Sequence, residues 1–177
     1  MLLGLLNNMP NYHPAVAKIR EILDTAGIAY KTFEHEPVRT SEEAAKMRPE
    51  YTLHQGAKAL IVGVRYQVLG TSEKGERKFV MLVVPGDCRF YEPKVKQALG
   101  IKEIRFATAT EVSEITGGIQ IGGVPPFGNL FNLSVYVDTQ VLANDEIIFN
   151  AGDRAFSIAL KSSDWQKVVS PSIVDIV

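Results

Sequence analysis

Apolar positions recur at two different periods along the chain. In HPAVAKIREILDTAG (13–27), Val16, Ile19 and Leu23 share one helical face, Pro14 suits the first turn, and Gly27 suits the position after the end. IAYKTFEHE then reads as a short strand. TSEEAAKM reads as a helix opened by Thr40 with Glu43 three residues on, the spacing of a capping box, and Pro49 closes the segment. AKALIVGVRY (57–66) and KFVMLVV (78–84) are nearly continuous apolar runs rich in β-branched residues, as expected of central strands covered on both faces. The polar LGTSEKGE between them predicts a hairpin-type connection.

Further on, EPKVKQALG predicts a short helix stopped at Gly100, KEIRFAT a strand, and TATEVSEITG a helix whose Thr108 and Glu111 again have capping-box spacing. After a glycine-rich loop, LSVYVD, EIIFNAG and AFSIAL read as three short strands. SSDWQKVV closes as a helix capped by Ser163 with Gln166 at its third position. Helices and strands alternate early and strands cluster late. The order predicts an α/β fold: a single domain with a central mixed, mainly antiparallel sheet flanked by helices. Residues 1–12 are expected to form an N-terminal arm and 13–177 the domain.

Composition narrows the class. The 177 residues are 46% hydrophobic and 22% charged, which suits one globular unit with a sizeable core. A formal net charge of −1 lacks the basic footprint of a protein that tracks a long nucleic-acid backbone, and leaves room for a small contact with an RNA end. The single cysteine, Cys88, excludes an internal disulfide framework and fits a reducing compartment, so the cytoplasm is the expected location. MLLGLLNNMP is apolar for too few residues to be a signal-peptide core or a membrane span, so no membrane association is expected.

Candidate chemistry centres on GGIQIGGVPPFGN (117–129), with five glycines and two adjacent prolines. A strand pattern follows it, not the helix that a dinucleotide fingerprint needs, and no GKS or GKT triplet marks a phosphate loop. One reading is a wide turn between strands. The other is a preorganised donor site: Gly122 and Gly123, lacking Cβ, let a ligand approach their N–H groups, while Pro125 and Pro126 fix the loop's shape. Such donors stabilise the oxyanion formed when water attacks an ester. Lys58 opens the run KALIVGV. Its stem either packs on the sheet with the ammonium in solvent, or points a cation into a cleft where it meets a phosphate or ribose oxygen. His13, His35 and His54 show no zinc-site spacing, and Cys88 has no nucleophile signature, so no metal is expected and the histidines read as structural. Lys94, Lys96, Lys102 and Arg105 form a basic group that serves as phosphate contacts or as a solvated face.

FEHEPVRTSEEAA, GAKALIVGV, TGGIQIGGVPPFG, VYVD and IFNAGDRAFSIAL, in this order, resemble the YbaK/ProX family, which includes the editing insertion of bacterial prolyl-tRNA synthetases. The resemblance runs from about His13 to Trp165. It implies hydrolysis in trans of the ester of a mischarged aminoacyl-tRNA, with cysteine or alanine on a proline tRNA as first candidates. No cofactor is implied. The partners implied are the tRNA acceptor end and an aminoacyl-tRNA synthetase. The family's loop glycine and proline fall on Gly122 and Pro126, and its lysine on Lys58, which helps hold the tRNA 3′ end. The resemblance further implies that the substrate's own neighbouring hydroxyl, rather than a side-chain base, orients or activates water. Phe33, Thr40, Gly128, Asn150 and Ser157 match positions that line or approach the pocket. Residue by residue, Phe33 also reads as core, Thr40 as a helix cap, and Asn150 as the start of a turn. In the cysteine-removing branch the positions of Asn150 and Ser157 typically carry serine and an acid, so amide and hydroxyl here mark a departure in the pocket. A binding module without catalysis, and a hydrolase of an unrelated ester, are the alternative functions.

Overall fold

The computed structural model describes residues 11–73 and 75–177, so most of the expected N-terminal arm lies outside the described residues. Helix α1 (Pro14–Thr25) starts where Pro14 sets the first turn, with His13 Nδ1 accepting from the Ala15 N–H. Its Val16, Ile19 and Leu23 are buried at the predicted spacing. Full burial of Ile19 and Leu23 stabilises by about 1.5–3 kcal/mol each. Strand β1 (Tyr30–Glu34) and helix α2 (Ser41–Met47) follow. Thr40 caps α2 as expected, accepting from the Glu43 N–H, while the Glu43 carboxylate reaches back one residue further than a standard box, to the Arg39 N–H.

Strands β2 (Ala57–Tyr66) and β3 (Lys78–Pro85) are the central antiparallel pair. Alternation sends Ile61, Met81 and Val83 into one core with α1. It sends Val62, Val64, Val80, Leu82 and Val84 into a second core, beneath Val95 and Leu99 of helix α3 (Glu92–Leu99). The continuous apolar runs thus have the two-faced burial they predict. Strand β4 (Ile101–Phe106) lies on the far side of β2, and helix α4 (Ala109–Thr116) carries the expected Thr108/Glu111 capping box. The guanidinium of Arg105 holds the Glu111 carboxyl down at about 2, so this cap stays ionised.

Strands β5 (Val135–Asp138), β6 (Glu146–Asp153) and β7 (Phe156–Lys161) match the three late strand readings. Short α5 (Thr139–Leu142), helix α6 (Ser162–Val169) and strand β8 (Ser172–Val174) complete the chain. Instead of one central sheet there are two, β1-β7-β6 and β4-β2-β3-β5-β8. Four of the six strand pairings are antiparallel, and β3-β5 and β5-β8 are parallel. The mixed, mainly antiparallel character holds, while the division into two sheets follows from partner choice that strand patterns do not encode. A lone bridge, Gly56 to Ile148, joins the sheets at their seam.

Two local expectations are corrected. Ser163 is not the cap of α6, which begins one residue earlier; Ser162 instead anchors the start through its hydroxyl, donating to the Asn144 carbonyl 2.5 Å away. Strand β8 was not anticipated, because its three residues gain strand character only by pairing in parallel with Tyr136, Val137 and Asp138 of β5; just beyond it the buried Asp138 carboxylate accepts from the Ile176 and Val177 N–H groups. No helix among the described residues is long and apolar enough to cross a membrane.

Candidate active site

At the seam between the sheets lies a cleft of about 330 Å³. Helix α2, the start of β2, the 86–89 turn, the glycine loop and β6 supply its lining. Four cations, Arg39, Arg48, Lys58 and Arg89, face a single lining carboxylate, Glu42, so a chain of near-neutral charge concentrates positive potential here. Hydrogen bonds from its own N–H and from the Thr40 hydroxyl hold Glu42 below the ordinary carboxylate value, and Lys58 and Arg89 add to this. A carboxylate so stabilised is a poor base.

The glycine loop is pinned by hydrogen bonds from several elements. His13 Nε2 donates to the Gly117 carbonyl at 2.8 Å, which with Nδ1 accepting sets the tautomer. Arg154 Nε donates to the Ile121 carbonyl at 2.8 Å and its Nη1 to Gln120 Oε1 at 2.9 Å. Gly122 has φ 93°, and a Cβ there would sit 2.9 Å from the Arg39 carbonyl oxygen, so both backbone conformation and space require glycine. Its carbonyl accepts from Asn150 Nδ2 at 2.7 Å, and its N–H has no partner among the described residues.

Gly123 differs from the expectation placed on it. Its N–H closes a turn to the Gln120 carbonyl at 2.9 Å and its carbonyl accepts from Gly152, so it has no free donor. Pro126 is buried off the lining, where its carbonyl accepts from Trp165 Nε1 at 2.9 Å. Gly128 is also off the lining. A Cβ there would meet Val135 Cγ2 at 2.5 Å, so close packing by itself accounts for glycine at this position. Phe33 stands behind Tyr51, ring centroids 5.9 Å apart, in a small core with Ile148 and Ala159.

The structure therefore brings Thr40, Lys58, Gly122 and Asn150 to one cleft, with Ser157 directly behind it. Lys58 is half-buried; its ammonium donates to the Cys88 carbonyl at 2.6 Å and reaches the Gly86 carbonyl at 3.5 Å. Burial lowers its pKa from the ordinary lysine value, with Glu42 opposing the shift. Asn150 and Ser157 pair across β6 and β7. Ser157 is fully buried: Oγ donates to Asn150 Oδ1 at 3.1 Å, accepts from Arg48 Nη1 at 3.0 Å, and lies 2.7 Å from His35 Nε2.

Sequence reasoning missed Arg48, Arg39 and Arg89. Arg48 follows a polar helix and precedes proline, a context that reads as solvent-exposed, so the sequence carried no signal of its burial. The basic group at 94–105 pairs with neighbours instead: Lys94 with Asp175, Lys96 with Glu92, and Arg105 with Glu111. Beside Lys58, donor atoms of His54, Asp87 and Cys88 lie within 4.8 Å of one another, a grouping that chain spacing did not indicate. Burial and then Asp87 push the Cys88 thiol up from its ordinary value, which disfavours a thiolate nucleophile.

A two-sheet α/β domain with a cleft lined by four cations and a glycine loop offers complementary charge to an anionic ligand. Residues 35–168 match the aminoacyl-tRNA editing domain, and the chain belongs to that family. It is 28% identical over 155 residues to the multifunctional Ser/Thr-tRNA deacylase ProXp-y of Escherichia coli K12, covering 87% of each chain. It is 30% identical over 111 residues to the proline–tRNA ligase of Caldicellulosiruptor saccharolyticus, covering 60% of this chain and 19% of that enzyme. A solved structure assigned provisionally as a trans-editing enzyme for prolyl-tRNA synthetase superposes with a TM-score of 0.75 at 25% identity, covering 93% of this chain and 97% of that one.

Proposed function

We propose that the protein is a deacylase that hydrolyses the ester of a mischarged aminoacyl-tRNA in trans, acting in the cytoplasm on the acceptor end. The observation that carries this reading is an unpartnered Gly122 N–H on the same cleft as Lys58, whose one lining carboxylate, Glu42, is a poor base. Water adds to the ester carbonyl, and the Gly122 N–H stabilises the oxyanion. The bond from the acyl carbon to the ribose oxygen then breaks, that oxygen takes a proton, and free amino acid and uncharged tRNA leave. Lys58 steadies the terminal nucleotide, and the neighbouring ribose hydroxyl orients the water. A separate hydrolytic pocket is needed because one methylene discriminates by only about 1–3 kcal/mol in a synthetic site.

Gly122 and Lys58 act on the substrate. Pro126 positions the loop through Trp165, while Thr40 and Asn150 shape the rim. One relative's name directs the test to serine and threonine tRNAs, and the family resemblance adds cysteine and alanine on a proline tRNA. Purified protein is expected to accelerate release from at least one of these; no acceleration from any, where a known editing enzyme works, overturns the reading. Tight binding of charged tRNA without turnover would identify a binding module instead.

A further inference from the structure

Building on the deacylase reading, we infer that Arg48 reads the side chain of the amino acid to be removed and selects one that ends in an oxygen acceptor. Arg48 is 5% exposed, lines the cleft, and has no carboxylate within ion-pair distance among the described residues. Burial lowers its pKa to about 10, so it is charged at neutral pH. A guanidinium carries five N–H donors. The contacts present commit two of them, Nε to the Ala44 carbonyl at 3.1 Å and Nη1 to Ser157 Oγ at 3.0 Å. Nη2 has no partner among the described residues and is not fully buried, so it opens on the cleft, where an acceptor on a ligand can take the place of water.

The geometry says which part of the substrate reaches it. At 5% exposure Arg48 offers the cleft only a small surface, which suits a small group better than a phosphate. Three successive hydrogen bonds, Arg48 to Ser157, Ser157 to Asn150, and Asn150 to the Gly122 carbonyl, tie it to the loop that receives the acyl carbonyl. The group that extends from that carbonyl is the amino-acid side chain. A hydroxyl oxygen satisfies the guanidinium. A methyl leaves it unpaired, and thiol sulfur is a weak acceptor.

Seryl, cysteinyl and alanyl groups differ essentially in one terminal atom, so they isolate the effect. Release rates from the same tRNA carrying each are expected to fall in the order serine, cysteine, alanine, with serine about 10- to 100-fold ahead of alanine. Equal rates, or faster alanine release, in the unaltered protein overturn the inference. Arg48→Met and Arg48→Lys, checked for folding by thermal unfolding, are expected to bring the serine-to-alanine ratio toward one for Met and partway for Lys. A folded Arg48→Met variant that keeps the full ratio also overturns it. Binding of amide-linked 3′-seryl- and 3′-alanyl-amino-adenosine separates the two readings. Preference for the seryl compound without hydrolysis of any ester sustains the role of Arg48 and removes the deacylase reading; equal binding removes the role of Arg48 alone.

Discussion

On one wall of the cleft Lys58 projects from the five-stranded sheet, half-buried, its ammonium resting on the Cys88 and Gly86 carbonyls. On the opposite wall Arg48 sits in a buried network with Ser157, Asn150 and Ala44, against the three-stranded sheet. The first cation meets backbone carbonyls at an edge that water still reaches, and it can exchange them for a substrate's oxygens at little cost. The second is held between the Ala44 carbonyl and the Ser157 hydroxyl, and Ser157 is itself bonded to Asn150, so moving it breaks several bonds at once. A cleft that must accept a nucleotide and judge an acyl group places a loosely held cation on the first task and a rigid one on the second.

Substitutions that act on one wall and spare the other test this contrast. The largest effect is expected where the walls meet: Gly122→Ala forces a Cβ against the Arg39 carbonyl at positive φ, displaces the N–H, and lowers kcat/KM for deacylation by about 100-fold. Unchanged kcat/KM would show that the loop donor is not used. Next, Lys58→Ala is expected to reduce kcat/KM roughly 10- to 100-fold with little change in the unfolding midpoint. Because burial depresses the Lys58 pKa, the ammonium is present below that value and lost above it. Activity therefore declines on the alkaline side before the ordinary lysine range is reached, and Lys58→Arg is expected to remove that decline.

Ser157→Ala probes the rigid wall. It leaves Arg48 and Asn150 each short of a buried partner and is expected to cost about 1–3 kcal/mol in urea unfolding, together with a loss of side-chain discrimination. A stability loss with discrimination intact would assign the network to folding alone. The smallest effect belongs to the loop's buried end: Trp165→Phe removes the bond to the Pro126 carbonyl and is expected to cost about 1 kcal/mol, with kcat/KM falling only a few-fold.

Much of this was legible along the chain. Periodicity located α1, the central strand pair and the late strands, and serine-type spacing located the caps at Thr40 and Thr108, because these are contests decided within a few residues. Ser163 failed as a cap since the contact of Ser162 with Asn144, eighteen positions away, governs where α6 begins. The glycine loop was visible as a feature but not residue by residue. Gly122, Gly123 and Gly128 look alike in sequence, yet one faces the cleft, one closes a turn and one packs against Val135.

The order of residues alone determined most of the elements, the family resemblance, the prominence of Lys58 and the presence of a glycine-rich loop, since each depends on local conformation or on motif. Only the tertiary structure decided that the strands form two sheets, that four cations gather at their seam, and that Arg48 is buried while the Gly123 N–H is already taken. Those outcomes are set by which distant backbone and side-chain groups find one another, and the desolvation of a charge or the pairing of an N–H has no value until its neighbours are in place.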